Sequence, residues 1–270
     1  MLSRPICSII TVVFNNPDEL ELTINNVIDQ NFSNYEFIVI DGGSSGPTKA
    51  VIERYKDSID YWVSEPDKGI YDAMNKGIIA ANGKWLNFMN AGDIYVDNNV
   101  LSDVFKNTEN NKNYISSSFL IGNTIINYDG FKKKFNGNIK NIGYGTQFIH
   151  QSVFISREFH LTNPYNINQK IAADYEFFFR AIHNNEPYYE LNKDICLFAA
   201  GGLSDTSRID TLIGGLWISL SIKFSIKALC VYSFNIIKEF IKLLLKYILP
   251  SKLIMRMRIL FISYSSNDQS

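Results

Sequence analysis

The 270-residue chain is long enough for one sizeable α/β domain with an appendage, or for two small domains. With 46% hydrophobic and 20% charged residues it excludes wholesale disorder, and its formal net charge of -1 excludes broad nucleic-acid binding through phosphate neutralisation. Three scattered cysteines, Cys7, Cys196 and Cys230, exclude a disulfide framework or a zinc cluster and fit a reducing, cytosolic setting.

Residues 1–5 lack the charged-then-apolar pattern of a leader, so the short apolar run at 6–14 is expected to be a buried strand. That β-branched run ends in Asn15-Asn16-Pro17, a turn signal. Asp18 is placed to cap a helix whose apolar positions Leu20, Ile24, Val27 and Ile28 recur at helical spacing. A second strand over 35–40 stops at Asp41-Gly-Gly-Ser-Ser-Gly. A helix over 48–55, a short strand over 61–63, a helix over 70–81 stopped by Gly83, and a strand over 84–89 follow. This alternation predicts an α/β fold with a mostly parallel sheet flanked by helices, in which ligands sit at the carboxyl ends of the strands. Residues 107–141, rich in Asn, Lys and Ser, read as hairpins and loops around 119–128. Residues 172–183 read as a helix with Tyr175, Phe178 and Phe179 available for packing.

The character changes after about Asp205, where a boundary is expected between a main α/β domain (1–205) and a C-terminal amphipathic helical region (206–270). Residues 212–249 are mostly apolar but interrupted by Lys223, Lys227, Lys238, Lys242 and Lys246, and no run reaches the ~20 apolar residues of a spanning helix. The four-residue spacing within each lysine set lines one helical face, a pattern suited to an anionic membrane interface, and Arg256 and Arg258 extend it. The alternative is a helical pair packed on the domain or on a partner subunit.

Four polar clusters follow apolar strands: Phe14-Asn15-Asn16; Asp41-Gly42-Gly43-Ser44; residues 64–78, which concentrate acids, two lysines and Asn75; and Asn90-Ala91-Gly92-Asp93. Glycines admit close approach of backbone amides to a ligand, and Asp41 can accept hydrogen bonds from a base or ribose. Lys68 can sit against a diphosphate as a point charge, with a solvated loop capped by Asp67 as the alternative. Asp93 and Asn90 offer oxygens to a hard divalent cation, although a lone Asp after a strand is more often a cap.

Taken together, the order and spacing of these clusters resemble the family 2 glycosyltransferases, inverting enzymes of the GT-A fold, and within them a branch linked with O-antigen and capsule assembly. The stretches that carry the resemblance are SIITVVFNN, EFIVIDGGSSGPT, SEPDKGIYDAMNKGIIAANGKWLNFMNAGD, GTQFIHQSVFISREF, IAADYEFFFRA and GGLS, about three-quarters of the chain. The resemblance implies a GT-A type, Rossmann-like sheet and a hexosyltransferase that uses a UDP-sugar donor and a Mg²⁺ or Mn²⁺ ion. Phe14, Asn15 and Asp41 would line the base and ribose pocket; Asp67, Lys68 and Asn75 would lie along the ribose, diphosphate or sugar. Asp93 would be the surviving metal-binding acid of the Asp-x-Asp element, and Asp174 would be the general base. The chain departs from the family in having Asn90 and Gly92 where many relatives carry an acid, Ala173 where Glu is frequent, and Met74 for a frequent Arg. His150 is open to two readings, a core or turn histidine or a contact to donor sugar, acceptor or metal, while His160 and His183 read as structural or surface residues. The expected acceptor is a saccharide, lipid-linked as in the family's usual pathways, and the expected location is the inner face of a bacterial cytoplasmic membrane. The rival functions are a nucleotidyltransferase, disfavoured because the first strand ends in Phe14-Asn15-Asn16-Pro17 and not in a Gly-rich basic loop, and a non-catalytic nucleotide-binding scaffold, disfavoured by the retained Asp174.

Overall fold

Short, mostly apolar and β-branched or aromatic runs become the central strands. In the computed structural model, which describes residues 4–106, 112–128, 131–145, 149–199 and 208–248, β1 (Cys7–Val13) and β2 (Tyr35–Asp41) pair in parallel, flanked by β3 (Tyr61–Ser64) on β2 and β4 (Trp85–Phe88) on β1. The first four strands thus point the same way. Beyond β4 the sheet becomes mixed. β8 (Val153–Ser156) runs antiparallel to β4 and to β6 (Phe119–Tyr128), β9 (Tyr188–Ala199) lies parallel to β6, and β5 (Ile94–Tyr95) closes the edge on β9. The order is β3-β2-β1-β4-β8-β6-β9-β5, with β7 (Phe131–Phe135) forming a hairpin on β6.

Helices α1 (Pro17–Ile28), α2 (Gly46–Tyr55) and α4 (Val100–Phe105) cover one face of the sheet, and α3 (Ile70–Ala80), α6 (Arg157–Thr162) and α7 (Ala173–His183) the other; α5 (Lys112–Ile115) is a single turn before β6. Alternate residues of β1 separate the two cores. Ile10 and Val12 join Met74, Phe88, Phe119 and Phe177 on one side, and Ile9 and Val13 join Leu20, Phe37, Trp85 and Phe154 on the other. Gly77 lets α3 approach closely, because a Cβ there would lie 2.5 Å from Ile10 Cγ2.

Several boundaries differ from the sequence reading. Asn16, not Asp18, occupies the position before the first helix, because Pro17 begins it; Asp18 lies in the acidic first turn, favoured by the exposed N–H groups there. Gly69, with φ 117°, precedes α3, so Asp67 is not its cap; Asp67 Oδ1 instead accepts the Gly69 N–H at 2.8 Å.

The C-terminal region contributes α8 (Arg208–Ile222) and α9 (Ile226–Ile248), which pack on each other and against α7. Ile218, Ala228 and Tyr232 are buried there, and Ser219 Oγ donates to the Gly143 carbonyl at 2.6 Å. Lys227 places its ammonium 4.8 Å from the centre of the Tyr144 ring, so this lysine faces the catalytic domain. The expected boundary at 205, the Gly-Gly-Leu-Ser match at 201–204, Arg256 and Arg258 lie outside the described residues.

Candidate active site

Because β1 to β4 are parallel, their carboxyl ends deliver the polar clusters to one edge of the sheet. The loops that follow β1 and β2 are tied to one another. Asn15 adopts a left-handed conformation at φ 49°, donates its N–H to Ser44 Oγ at 2.7 Å, and accepts at Oδ1 from Ser45 N–H at 2.8 Å and Ser45 Oγ–H at 3.0 Å. Asp41 is fully buried and accepts from the Ser44 N–H at 3.1 and 3.2 Å and from the hydroxyls of Ser44 and Ser64. Both residues line the strand ends as the sequence suggests, but their polar atoms already brace the loops. Phe14 is different: its ring is 64% exposed at the end of β1. A Cβ at Gly42 would fall on the Asp67 carboxylate and 3.4 Å from the Phe14 ring, so Phe14, Gly42 and Asp67 converge. Lys68 is exposed beside them, and its backbone N–H donates to Asp72 Oδ2 at 3.0 Å. Asn75 is engaged at both ends of its amide by the Tyr165 main chain, at 2.9 and 3.0 Å, and so joins α3 to the segment preceding α7.

The second half of the site is a continuous chain of contacts from β4 to α7. Asp93 is buried and accepts at Oδ2 from Gln151 Nε2 at 2.7 Å and from the Asn90 N–H at 3.1 Å. Asn90 Nδ2 lies 3.3 Å from His150 Nε2, and His150 Nδ1 lies 3.3 Å from Asp174 Oδ2. Nδ1–H is placed to donate to Asp174, and Nε2 faces the Asn90 amide. Tyr71 donates its hydroxyl to the other carboxylate oxygen, Asp174 Oδ1, at 3.0 Å. Ala172, left-handed at φ 69°, turns the chain into α7, and Asp174 sits in its first turn, where unpaired N–H groups favour a carboxylate.

The two carboxylates have opposite electrostatic settings. Burial raises the Asp93 pKa from 3.8 to about 6, against the opposing pull of Gln151, His150 and the Asn90 N–H. Burial also acts to raise Asp174, but hydrogen bonding and charge from His150, the Tyr175 N–H and the Tyr71 hydroxyl outweigh it and hold the group below 3.8. Asp174 is therefore ionised and partly exposed, with its side chain 24% accessible.

Among the described residues, no three His, Cys, Asp or Glu side chains cluster to hold a metal by themselves. Asn90 Oδ1, however, is a buried oxygen without a hydrogen-bond partner, on a residue whose backbone N–H binds the Asp93 carboxylate. One carboxylate and one amide oxygen are donor types that a hard cation takes, with substrate phosphates completing its shell. Tyr71 and Gln151 were not nominated from sequence; both lie inside matched motifs, but nothing local distinguishes a Tyr or Gln that contacts a carboxylate from one that merely packs. His160 is buried among Phe88, Tyr165 and Phe177, and burial lowers its pKa to about 4, the expected structural role.

This geometry gathers the polar loops after β1 to β4 beside the Asp174 carboxylate, which is hydrogen-bonded at both oxygens. The family described as glycosyl transferase family 2 matches residues 8–183. The chain belongs to that family. This glycosyltransferase is 30% identical over 220 residues to an uncharacterized glycosyltransferase of Mycobacterium tuberculosis (strain CDC 1551 / Oshkosh), covering 80% of this chain and 83% of the relative. It is 25% identical over 187 residues to a PGL/p-HBAD biosynthesis glycosyltransferase of Mycobacterium bovis (strain BCG / Pasteur 1173P2), covering 68% and 72% of the two chains. Its GT-A fold is similar to that of S. aureus TarS 1–349 in complex with UDP, with a TM-score of 0.61 at 16% identity over 81% of this chain and 67% of that 1–349 chain. The mannosyltransferase PcManGT of Pyrobaculum calidifontis, in complex with GDP-Man and Mn²⁺, gives a TM-score of 0.62 at 13% identity over 87% of this chain and 70% of that one.

Proposed function

We propose that this glycosyltransferase moves a sugar, with inversion at the anomeric carbon, from a UDP-sugar to a hydroxyl of a lipid-linked saccharide during surface-polysaccharide assembly. The observation that carries the reading is the chain of contacts Asp93–Asn90–His150–Asp174, which brings the diphosphate end of the site next to an ionised base. In the reaction, the acceptor oxygen attacks the anomeric carbon as its proton passes to Asp174, and the bond to the diphosphate breaks to release UDP. A general base of this kind contributes ~10²–10⁴-fold in rate. Phe14 and Asp67 flank the nucleoside and ribose, with Asn15 and Asp41 shaping the wall behind them, and Lys68 meets the diphosphate. Asn75 acts on the donor through the α3 contacts described above, and His150 faces the donor sugar from beside Asn90. A bound Mg²⁺ or Mn²⁺, held by Asp93 with the free Asn90 oxygen, would supply charge neutralisation for the departing diphosphate.

The C-terminal region is assigned to the membrane surface, at the inner face of the cytoplasmic membrane. Trp217, Phe224, Phe234 and Phe240 are each more than half exposed, with Lys238 and Lys242 on the same helical pair. Among the described residues, no helix is long and apolar enough to cross a membrane.

The test is UDP release from a panel of UDP-sugars, with and without a saccharide-lipid acceptor. Transfer is expected with one donor, and Asp174→Asn is expected to abolish it while calorimetry shows UDP binding nearly intact. Wild-type turnover by that variant would remove Asp174 from the base role. Pyrophosphate release from a nucleoside triphosphate would point instead to nucleotidyl transfer, and UDP binding without turnover of any donor to a scaffold.

A further inference from the structure

An aspartate carboxylate turns easily about its last torsion, so a base needs its unused lone pairs held if one is to stay aimed at the acceptor. Tyr71 and His150 each hold one oxygen of Asp174, from different elements. The tyrosine is the better placed of the two, with its hydroxyl at 3.0 Å against 3.3 Å for the imidazole. It lies in the first turn of α3, directly after the loop that carries Asp67 and Lys68. Asn75, one helical turn further on and so on the same face, binds the Tyr165 main chain, and the Tyr165 ring packs on Tyr71 with centroids 5.6 Å apart. The hydroxyl is thereby fixed relative to both the donor loop and the segment leading into α7.

We propose that Tyr71 is a positioning residue for the base, holding Asp174 Oδ1 so that the aim of the carboxylate is tied to the loop along the donor. The assignment rests on the reading of Asp174 as the base. The groups facing Asp174 are Tyr71 from α3, His150 from the turn before β8, Tyr165 from the segment before α7, and the Tyr175 N–H of its own helix. Burial, and then the Asp174 charge, push the Tyr71 phenol far above its ordinary range, so it remains a donor wherever the enzyme works. Its hydrogen bond favours the ionised carboxylate, and its loss must raise the pKa of Asp174.

The experiment compares wild type, Tyr71→Phe and Asp174→Asn as full-length protein. The readouts are UDP release from UDP-GlcNAc, UDP-glucose and UDP-galactose across pH, UDP affinity by calorimetry, and the Asp174 carboxyl titration by carbon NMR, assigned by its absence in Asp174→Asn. In Tyr71→Phe, kcat is expected to fall about tenfold at unchanged UDP affinity, and the acid limb of the rate profile to move upward together with the Asp174 titration. A merely structural tyrosine would leave that titration in place. An Asp174→Asn variant that still turns over would overturn the base reading and this proposal with it. An inactive Asp174→Asn, beside a Tyr71→Phe variant whose titration and rate match wild type, would overturn the role of Tyr71 alone.

Discussion

Asp93 and Asp174 are the same side chain in two environments, and the environments separate their tasks. Asp93 is surrounded by protein, and burial raises its pKa to about 6. Asp174 accepts hydrogen bonds at both oxygens and stays charged. The raised pKa has a consequence for stability. The folded state holds the Asp93 proton more tightly than the unfolded chain, so its contribution is complete below pH 3.8 and is lost as pH rises towards 6. Without divalent cation, wild type should lose about 3 kcal/mol more than Asp93→Asn over that range, measured by urea unfolding at a series of pH values. Parallel curves for the two proteins would contradict this. Asp93→Ala should also lose the EDTA-sensitive part of its UDP affinity in calorimetry. The acid itself was legible in sequence. That it would be buried against Gln151 was not, because Gln151 lies 58 residues away and reaches it only through the pairing of β8 with β4.

At the scale of elements, α3 does the most to assemble the site. Its start follows the Asp67–Lys68 loop and carries Tyr71, its middle carries Asn75, and its far end packs on β1 and β2 through Gly77. Gly77→Val would drive side-chain atoms into Ile10 and Ile40, an overpacking that costs ~1–3 kcal/mol. The expected fall in melting temperature is several degrees, with UDP affinity weakened because the donor loop moves with the helix. A variant that melts with wild type would show that α3 has room to shift. The first four strands and α1 to α3 could be placed from sequence, since buried parallel strands read as unbroken apolar runs and their helices as periodic ones. β8 and β9 escaped that reading. They join the sheet through antiparallel and long-range pairings whose partners lie far away in the chain, as with Leu120 between Phe154 and Tyr189.

For the whole molecule, the open question raised by composition is the apolar C-terminal pair. Its inner side is used: Ser219 and Tyr232 pack near Gly143 and α7, and Lys227 lies over Tyr144. Its outer side leaves Trp217, Phe224, Phe234, Phe240 and Leu244 exposed. The protein is expected to co-sediment with phosphatidylglycerol vesicles, less so as salt rises, and a Trp217→Glu, Phe234→Glu double variant should lose that binding while keeping its fold by circular dichroism. Salt-insensitive self-association without vesicle binding would assign the surface to a second copy of the chain.

The strand–helix alternation and the family were readable from local spacing and motif residues, which also point to the carboxylates Asp93 and Asp174 and to an amphipathic tail. Which polar atoms remain available became visible only in the folded chain. Asp41 and Asn15 prove to be hydrogen-bonded to Ser44, Ser45 and Ser64, and Asn75 to Tyr165, whereas Asn90 keeps a buried oxygen without a partner. Hydrogen-bond partners across tens of residues depend on how the sheet brings loops together, and that is a property of packing which no local pattern encodes.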